Sequence, residues 1–115
     1  YYDNCKAEIH YTEQAMKISG VQNYEIIKGW FSETLPKFHI NEEIAILRLD
    51  ADWYESTMQC LKFLYPKVAK GGLIILDDYY TWDGCSRAVH DYLSAYSLAN
   101  RIYQLEDGNC YIIKS

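Results

Sequence analysis

Two apolar stretches of the sequence, residues 44–49 and 73–76, are each followed directly by acidic residues. The acids are Asp50 and Asp52 after the first stretch, and Asp77 and Asp78 after the second. Apolar runs of this length are typical of strands buried in a parallel sheet, and a strand–helix–strand connection places two such strands in parallel. Because their carboxyl ends then meet at the edge where open α/β sheets bind ligands, we expect these carboxylates to converge.

Converging carboxylates repel one another unless a cation neutralises them. An all-oxygen ligand set without His or Cys favours Mg²⁺, Mn²⁺ or Ca²⁺ over zinc. The alternative is that each acid caps the helix after it, which is a strong alternative for Asp52. It is weaker for Asp77 and Asp78, because one helix needs only one capping acid. We therefore favour a shared metal site.

The remaining sequence predicts alternating helices and strands around these acids. Helices are predicted from Asn4 to Ser19, at residues 32–35 before Pro36, from Tyr54 to Tyr65 before Pro66, and after a capping Asp83. Strands are predicted at residues 24–27, 44–49, 73–76, 101–105 and 110–113, with a Gly71-Gly72 turn before the third and a turn at residues 107–109 before the last. This order predicts an α/β fold, with residues 44–49 buried on both faces of a mostly parallel sheet and one antiparallel edge.

Three functional classes are compatible with acids at strand ends. They are a metal-dependent transferase or hydrolase, a nucleotide-sugar glycosyltransferase with a DxD motif, and a phosphoacceptor receiver domain. The receiver hypothesis fails because its acidic pair precedes the phosphorylated Asp, whereas here the pair comes last. The glycosyltransferase hypothesis leaves Asp77 and Asp78 without a role.

Composition excludes several partners. The chain has 115 residues, enough for one domain, and a net charge of −5 without a Lys/Arg run, so we expect no nucleic-acid partner. No apolar run is long enough to cross a membrane. The four cysteines form no CxxC pair, which argues against zinc and favours a reduced, cytoplasmic protein.

Residues 47–92, LRLDADWYESTMQCLKFLYPKVAKGGLIILDDYYTWDGCSRAVHDY, closely resemble the macrocin O-methyltransferase family of the TylF, MycF and NovP type. The KGWFSETLP segment at residues 28–36 also resembles this family, and the likeness continues more weakly to the Asp107-Gly108 turn. The resemblance implies a Rossmann-like class I methyltransferase fold that depends on S-adenosylmethionine (SAM) and Mg²⁺. It also implies a small, glycosylated acceptor whose sugar hydroxyl is methylated, and a homo-oligomeric full-length protein.

The resemblance assigns roles to individual residues. It implies that Asp50, Asp77 and Asp78 are the metal ligands. It places the segment Trp30, Phe31 and Ser32 on the adenine side of the SAM pocket.

A base must remove the proton of the acceptor hydroxyl. Asp50 or Asp52 is our first candidate for this role, and His90 is the second. For His90 a surface or packing role beside Asp91 is the favoured interpretation. Asp52 has a SAM contact as its alternative role.

The family's first two strands, which hold much of SAM, have no counterpart before residue 24. We therefore expect residues 1–115 to be a single, incomplete methyltransferase domain. On this expectation the isolated chain binds Mg²⁺ weakly and has no measurable affinity for SAM.

Overall fold

A computed structural model describes residues 7–115 of the chain, which form four α-helices and four β-strands. The helices are α1 (Ile9–Ser19), α2 (Phe31–Thr34), α3 (Tyr54–Leu64) and α4 (Asp83–Ala95). The strands are β1 (Ile44–Leu49), β2 (Val68–Leu76), β3 (Tyr103–Gln104) and β4 (Cys110–Ile113). Short 3₁₀ turns at Leu35–Lys37 and Tyr65–Lys67 follow α2 and α3, so Pro36 and Pro66 end these helices as predicted. The predicted cap Asn4 lies outside the described residues.

The four strands form one sheet in the order β1-β2-β4-β3. β1 and β2 are parallel, whereas β4 is antiparallel to both β2 and β3. It follows that β3 runs in the same direction as β1 and β2, and only β4 is reversed. This confirms the predicted α/β class with a mostly parallel sheet and an antiparallel last strand.

Helices α3 and α4 share the hydrophobic core with one face of the sheet. Leu61 of α3 and Val89 of α4 are buried in one cluster with Leu49, Leu76 and Ile112 of the strands. None of the described helices is both long and apolar enough to span a membrane.

The opposite face of the sheet is open among the described residues. Leu47 and Leu49 of β1 are buried, but Ile46, the residue directly before Leu47, is 61% exposed. The prediction that residues 44–49 are buried on both faces is therefore wrong for this part of the chain. Successive side chains of a strand point to opposite faces, and α3 and α4 cover only one of them.

The predicted strand at residues 24–27 is also not observed. Tyr24 and Ile27 are exposed, and within residues 7–115 this segment pairs with no strand. An apolar β-type pattern becomes a strand only when a neighbouring strand satisfies its backbone hydrogen bonds. Within the described sheet, β1 has β2 as its one neighbour.

The glycine pair predicted as a turn lies inside β2 instead. The β1–β2 register pairs Ile44 with Val68 and Ile46 with Leu73, so β2 has extra residues at this point. Gly71 adopts a φ of +84°, and its N–H donates to the Lys114 carbonyl over 2.7 Å. The glycines therefore form a bulge in a longer strand, and the prediction of a turn is wrong.

The start of α4 differs from the prediction as well. Trp82 is the residue before the first helical turn, and it makes no side-chain capping bond. Asp83 lies within the first turn, where its negative charge suits the helix N-terminus without capping it.

Candidate functional site

The ends of β1 and β2 place the acids at one edge of the sheet. The Asp77 N–H donates to the Leu49 carbonyl over 3.0 Å, which joins the last residue of β1 to the first residue after β2. The loop that follows β1 and the loop that follows β2 therefore leave the sheet side by side. Each loop then leads directly into a helix, α3 or α4.

Three of the four predicted acids come together. Asp50, Asp52 and Asp78 each offer a carboxylate oxygen, and these oxygens all lie within 4.8 Å of one another. Two ligands on opposite sides of one Mg²⁺ are separated by ~4.2 Å, so the spacing is close to that of a cation site. We call these three residues the acid group.

Asp77 lies outside the acid group. Its Oδ1 accepts a hydrogen bond of 3.0 Å from the Arg48 guanidinium, which also contacts Asp50 Oδ2 at 3.4 Å. Asp77 lines the open face of the sheet together with Arg48 and Ile75. Of the ligand set implied by the resemblance, the structure thus brings Asp50 and Asp78 together and turns Asp77 toward Arg48.

The spacing of the acids explains this difference. Asp50 and Asp52 are two positions apart and therefore tend to point to the same side, whereas the adjacent Asp77 and Asp78 point to opposite sides. For Asp77 and Asp78, which directly follow β2, this alternation is a signal in the sequence; for Asp52 the tight turn decides the direction of the side chain.

Asp52 has an unusual backbone. Its φ is +58°, a left-handed conformation that is uncommon for residues other than glycine. The Trp53 N–H donates to the Ala51 carbonyl over 2.6 Å and closes a three-residue turn around Asp52. Backbone strain of this kind tends to occur at functional sites. Here the strained turn keeps the Asp52 carboxylate beside Asp50 and Asp78.

Asp78 is the buried member of the acid group. Burial, followed by the hydrogen bond and charge of Asp52 and then those of Asp50, raises the pKa of Asp78 to about 7. Its Oδ2 is buried and has no hydrogen-bond partner among the described residues. A buried carboxylate oxygen without a partner, next to two further carboxylates, fits a site for a hard divalent cation.

Replacing Asp78 by Asn is expected to stabilise the chain at neutral pH in a buffer free of divalent cations. Between its ordinary pKa of 3.8 and the folded value of about 7, the unfolded carboxyl ionises while the folded one keeps its proton. Stability of the parent chain is therefore lost as pH rises through this window, and an amide removes the loss. Urea unfolding from pH ~4 to pH ~8 should show that the advantage of the variant grows with pH. The exposed Glu106→Gln exchange is the control, and an advantage independent of pH would contradict the assignment.

Trp30, Phe31 and Ser32 lie at the start of α2 and face α3. Together with Glu55, Ser56 and Gln59 they line a cavity of about 150 Å³. A ligand of drug size occupies ~300 Å³ or more, so this cavity accommodates only one part of such a molecule.

His90 lies on α4, and its Nε2 contacts the Tyr79 hydroxyl at 2.5 Å. The neighbouring Asp91 accepts a hydrogen bond of 2.8 Å from the Tyr54 hydroxyl. The acid group within 4.8 Å comprises aspartates alone and does not include His90. This placement agrees with a surface or packing role for His90.

The chain is similar to three methyltransferases from Streptomyces and Micromonospora. It is 32% identical over 124 aligned residues to demethyldecarbamoylnovobiocin O-methyltransferase of Streptomyces niveus, which covers 96% of this chain and 47% of that protein. It is 41% identical to 8-demethyl-8-(2,3-dimethoxy-alpha-L-rhamnosyl)-tetracenomycin-C 4'-O-methyltransferase of Streptomyces olivaceus, over 70% of this chain and 30% of that protein. It is 35% identical to mycinamicin III 3''-O-methyltransferase of Micromonospora griseorubida, over 74% of this chain and 33% of that protein. The chain thus spans about half or less of the length of these relatives.

Solved structures of methyltransferases have a fold similar to that of this chain. The structure of the O-methyltransferase NovP superposes with a TM-score of 0.71 at 39% identity, over 76% of this chain and 36% of that one. CalS11, a TDP-rhamnose 3'-O-methyltransferase of calicheamicin biosynthesis, superposes with a TM-score of 0.63 at 24% identity, over 76% of this chain and 39% of that one. At this identity CalS11 supports the fold alone.

The family model that describes macrocin O-methyltransferases (TylF) matches residues 14–114. The match includes β1 and β2, all members of the acid group, and the Trp30–Ser32 segment. It confirms the resemblance noted in the sequence: the chain belongs to the macrocin O-methyltransferase family.

Proposed function

We propose that the protein containing this chain is a SAM- and Mg²⁺-dependent O-methyltransferase that methylates a hydroxyl of a sugar or of a glycosylated natural product. The observation that supports this most is the acid group at the end of β1 and β2, in which a buried oxygen of Asp78 has no partner among the described residues. The family implies SAM as the methyl donor. The name of the Streptomyces olivaceus relative describes methylation of a rhamnosyl compound.

Asp50 and Asp78 are the proposed ligands that both the sequence and the structure support. We retain Asp77 as the third ligand, since the resemblance implies this role. To bind the same cation, Asp77 would have to leave Arg48 and turn to the side on which Asp50 and Asp78 lie. The ion pair that it would give up is partly exposed, and exposed pairs contribute only ~0–1 kcal/mol.

Asp52 is the proposed general base. A base must lie within hydrogen-bond reach of the hydroxyl from which it takes the proton. The turn around Asp52 places its carboxylate beside Asp50 and Asp78, next to the proposed cation position. Asp52 would accept the hydroxyl proton there, while the acceptor oxygen takes the methyl group and the methyl–sulfur bond of the donor breaks.

When bound, SAM supplies the methyl group from its sulfonium and Mg²⁺ supplies the positive charge that stabilises the developing alkoxide. Trp30, Phe31 and Ser32 hold the adenine end, for which their cavity against α3 offers an aromatic wall. The small acceptor, the homo-oligomeric state and the cytoplasmic location remain expectations from the sequence.

The alternative hypothesis of a nucleotide-sugar glycosyltransferase has no support from the comparisons, in which the family and all three relatives are methyltransferases. Calorimetry on the full-length protein with Mg²⁺ tests both hypotheses. We expect saturable binding of SAM and none of a uridine diphosphate sugar. Binding of the nucleotide sugar without binding of SAM would contradict the proposed function.

A further inference from the structure

Two tryptophans lie exposed directly beside the acid group. Trp53 follows Asp52 and precedes the first turn of α3, and Trp82 precedes the first turn of α4. Their indoles are neighbours, with ring centroids 5.6 Å apart and planes inclined by 39°. Both rings therefore rise from the two loops that also contain the acids. We call this pair the indole platform.

The backbone fixes the indole platform relative to the acid group. The Trp53 N–H is bonded across Asp52 to the Ala51 carbonyl at 2.6 Å, and the Trp82 N–H is bonded to the Asp78 carbonyl at 3.0 Å. Each tryptophan is thus hydrogen-bonded to the backbone of a loop that contributes to the acid group. These two turns therefore hold the backbone of Trp53 and of Trp82 close to the acids.

Gly84 allows the two helix starts to approach each other. A Cβ at this position would lie 2.7 Å from the Tyr54 amide nitrogen and 3.3 Å from the Trp53 carbonyl carbon. These neighbours are backbone atoms and cannot move aside without displacing α3. The close approach at Gly84 therefore holds the two indoles as a pair.

The indole platform does not serve the core. Trp53 and Trp82 are 50% and 41% exposed, whereas the residues that build the core below them are almost completely buried. Leaving two large aromatic rings half exposed beside charged groups forgoes much of the stabilisation that their burial would contribute. Such an arrangement suits a ligand with one apolar face and one polar edge.

We propose that Trp53 and Trp82 bind a sugar ring of the acceptor, with the C–H face of the ring on the indoles and its hydroxyl edge toward the acid group. A pyranose has this division into an apolar face and a hydroxyl-bearing edge, and polarised C–H groups are attracted to the negative face of an aromatic ring. A flat aromatic ligand without hydroxyl groups on its edge would stack on the indoles but would offer no oxygen to the acid group. The inference rests on the proposed function, because it names the part of the acceptor that this site binds.

Saturation-transfer difference NMR on the full-length protein tests the indole platform without SAM. The probe is methyl α-L-rhamnopyranoside with Mg²⁺ present, and the protein is irradiated at its aromatic resonances. Glycerol is the control ligand, because its hydroxyls can chelate a cation but it has no ring face. We expect saturation to reach the C–H protons of one face of the rhamnoside, and not those of glycerol.

Variants of the two tryptophans assign the signal. Trp53→Leu and Trp82→Leu should each weaken rhamnoside binding about three- to tenfold, as expected for loss of one aromatic contact. Trp82→Phe should restore most of the affinity, because stacking survives although the size of the side chain changes. Tyr11→Leu, which removes an exposed aromatic ring from α1, outside the platform and the acid group, should leave rhamnoside binding unchanged.

The outcomes separate this inference from the proposed function. Saturation that is unaffected by both leucine variants, or spread evenly over the sugar protons, would overturn the indole platform even if methyl transfer from SAM is measured. Absence of rhamnoside binding would overturn it as well. Face-selective binding lost in the leucine variants would support the platform even if methyl transfer fails.

Discussion

Asp52→Asn should reduce methyl transfer by the full-length protein ~10²–10⁴-fold, the usual contribution of a positioned general base. An amide at this position has the size of the carboxylate but cannot accept the proton of the acceptor hydroxyl. Asn also tolerates the left-handed backbone that Asp52 adopts at a φ of +58°, so the turn should survive the exchange. The loss should therefore appear in kcat while the fold and the cation affinity stay close to those of the parent protein.

The measurement compares initial rates of methyl transfer with the Mg²⁺ affinity of the same samples. Asp83→Asn is the matched control, because it removes an exposed acid from the first turn of α4, near the acid group but outside it. We expect this control to retain its rate within about twofold, as for an ordinary surface exchange. A variant at Asp52 that loses cation affinity and rate together, and regains its rate at saturating Mg²⁺, would show that Asp52 is a ligand and that the base lies elsewhere.

The sequence predicted the strands that position the acids because their apolar pattern is strong. Residues 44–49 form β1 over the predicted range, and residues 73–76 form the end of β2. Long apolar runs that end in polar residues have few alternatives to a strand followed by a loop. The edge at which the acids meet was predictable for the same reason.

The apolar pattern of the sequence could not show which faces and edges of the sheet are covered by other elements. Ile46 is an apolar residue of the kind that strands usually bury, but it is exposed. Residues 24–27 have a β-type pattern but no partner strand among the described residues. Covering a face or pairing an edge depends on distant elements of the chain, which local periodicity does not report. Likewise Gly71 and Gly72 signal an irregular backbone, but a turn and a bulge have the same local signal.

The acid group shows a similar division. Asp50 and Asp78 could be predicted from their positions after the strands. The structure has Asp52 in the acid group and Asp77 outside it. This difference depends on the direction of the side chains after the strands have ended, where a tight turn orients Asp52 and the Arg48 guanidinium binds Asp77. The indole platform was not predicted, because Trp53 and Trp82 are far apart in sequence and meet only where α3 and α4 begin.

Asp78→Asn should weaken cation binding strongly at the same neutral pH at which it stabilises the cation-free fold. The Asp78 carboxylate is the buried ligand of the proposed site, and its pKa of about 7 reflects burial beside Asp52 and Asp50 without a compensating positive charge. Removing the charge relieves this repulsion, so the free energy of unfolding rises while the cation loses a ligand. Loss of one metal ligand should weaken Mg²⁺ or Mn²⁺ binding ~100-fold or more, at least as much as loss of a residue that supports a ligand.

Titration of Mn²⁺ by electron paramagnetic resonance, paired with thermal unfolding of the same samples, tests the two effects together. Added Mg²⁺ should raise the melting temperature of the parent protein, because a ligand that binds only the folded state stabilises it, and should leave that of Asp78→Asn unchanged. Glu106→Gln removes one negative charge from an exposed position away from the acid group and should change neither property. A variant at Asp78 that is less stable than the parent without cations, or that still gains stability from Mg²⁺, would show that this carboxylate supports the fold instead of holding the metal. Opposite changes in stability and cation affinity are expected only if the buried carboxylate is maintained for the cation.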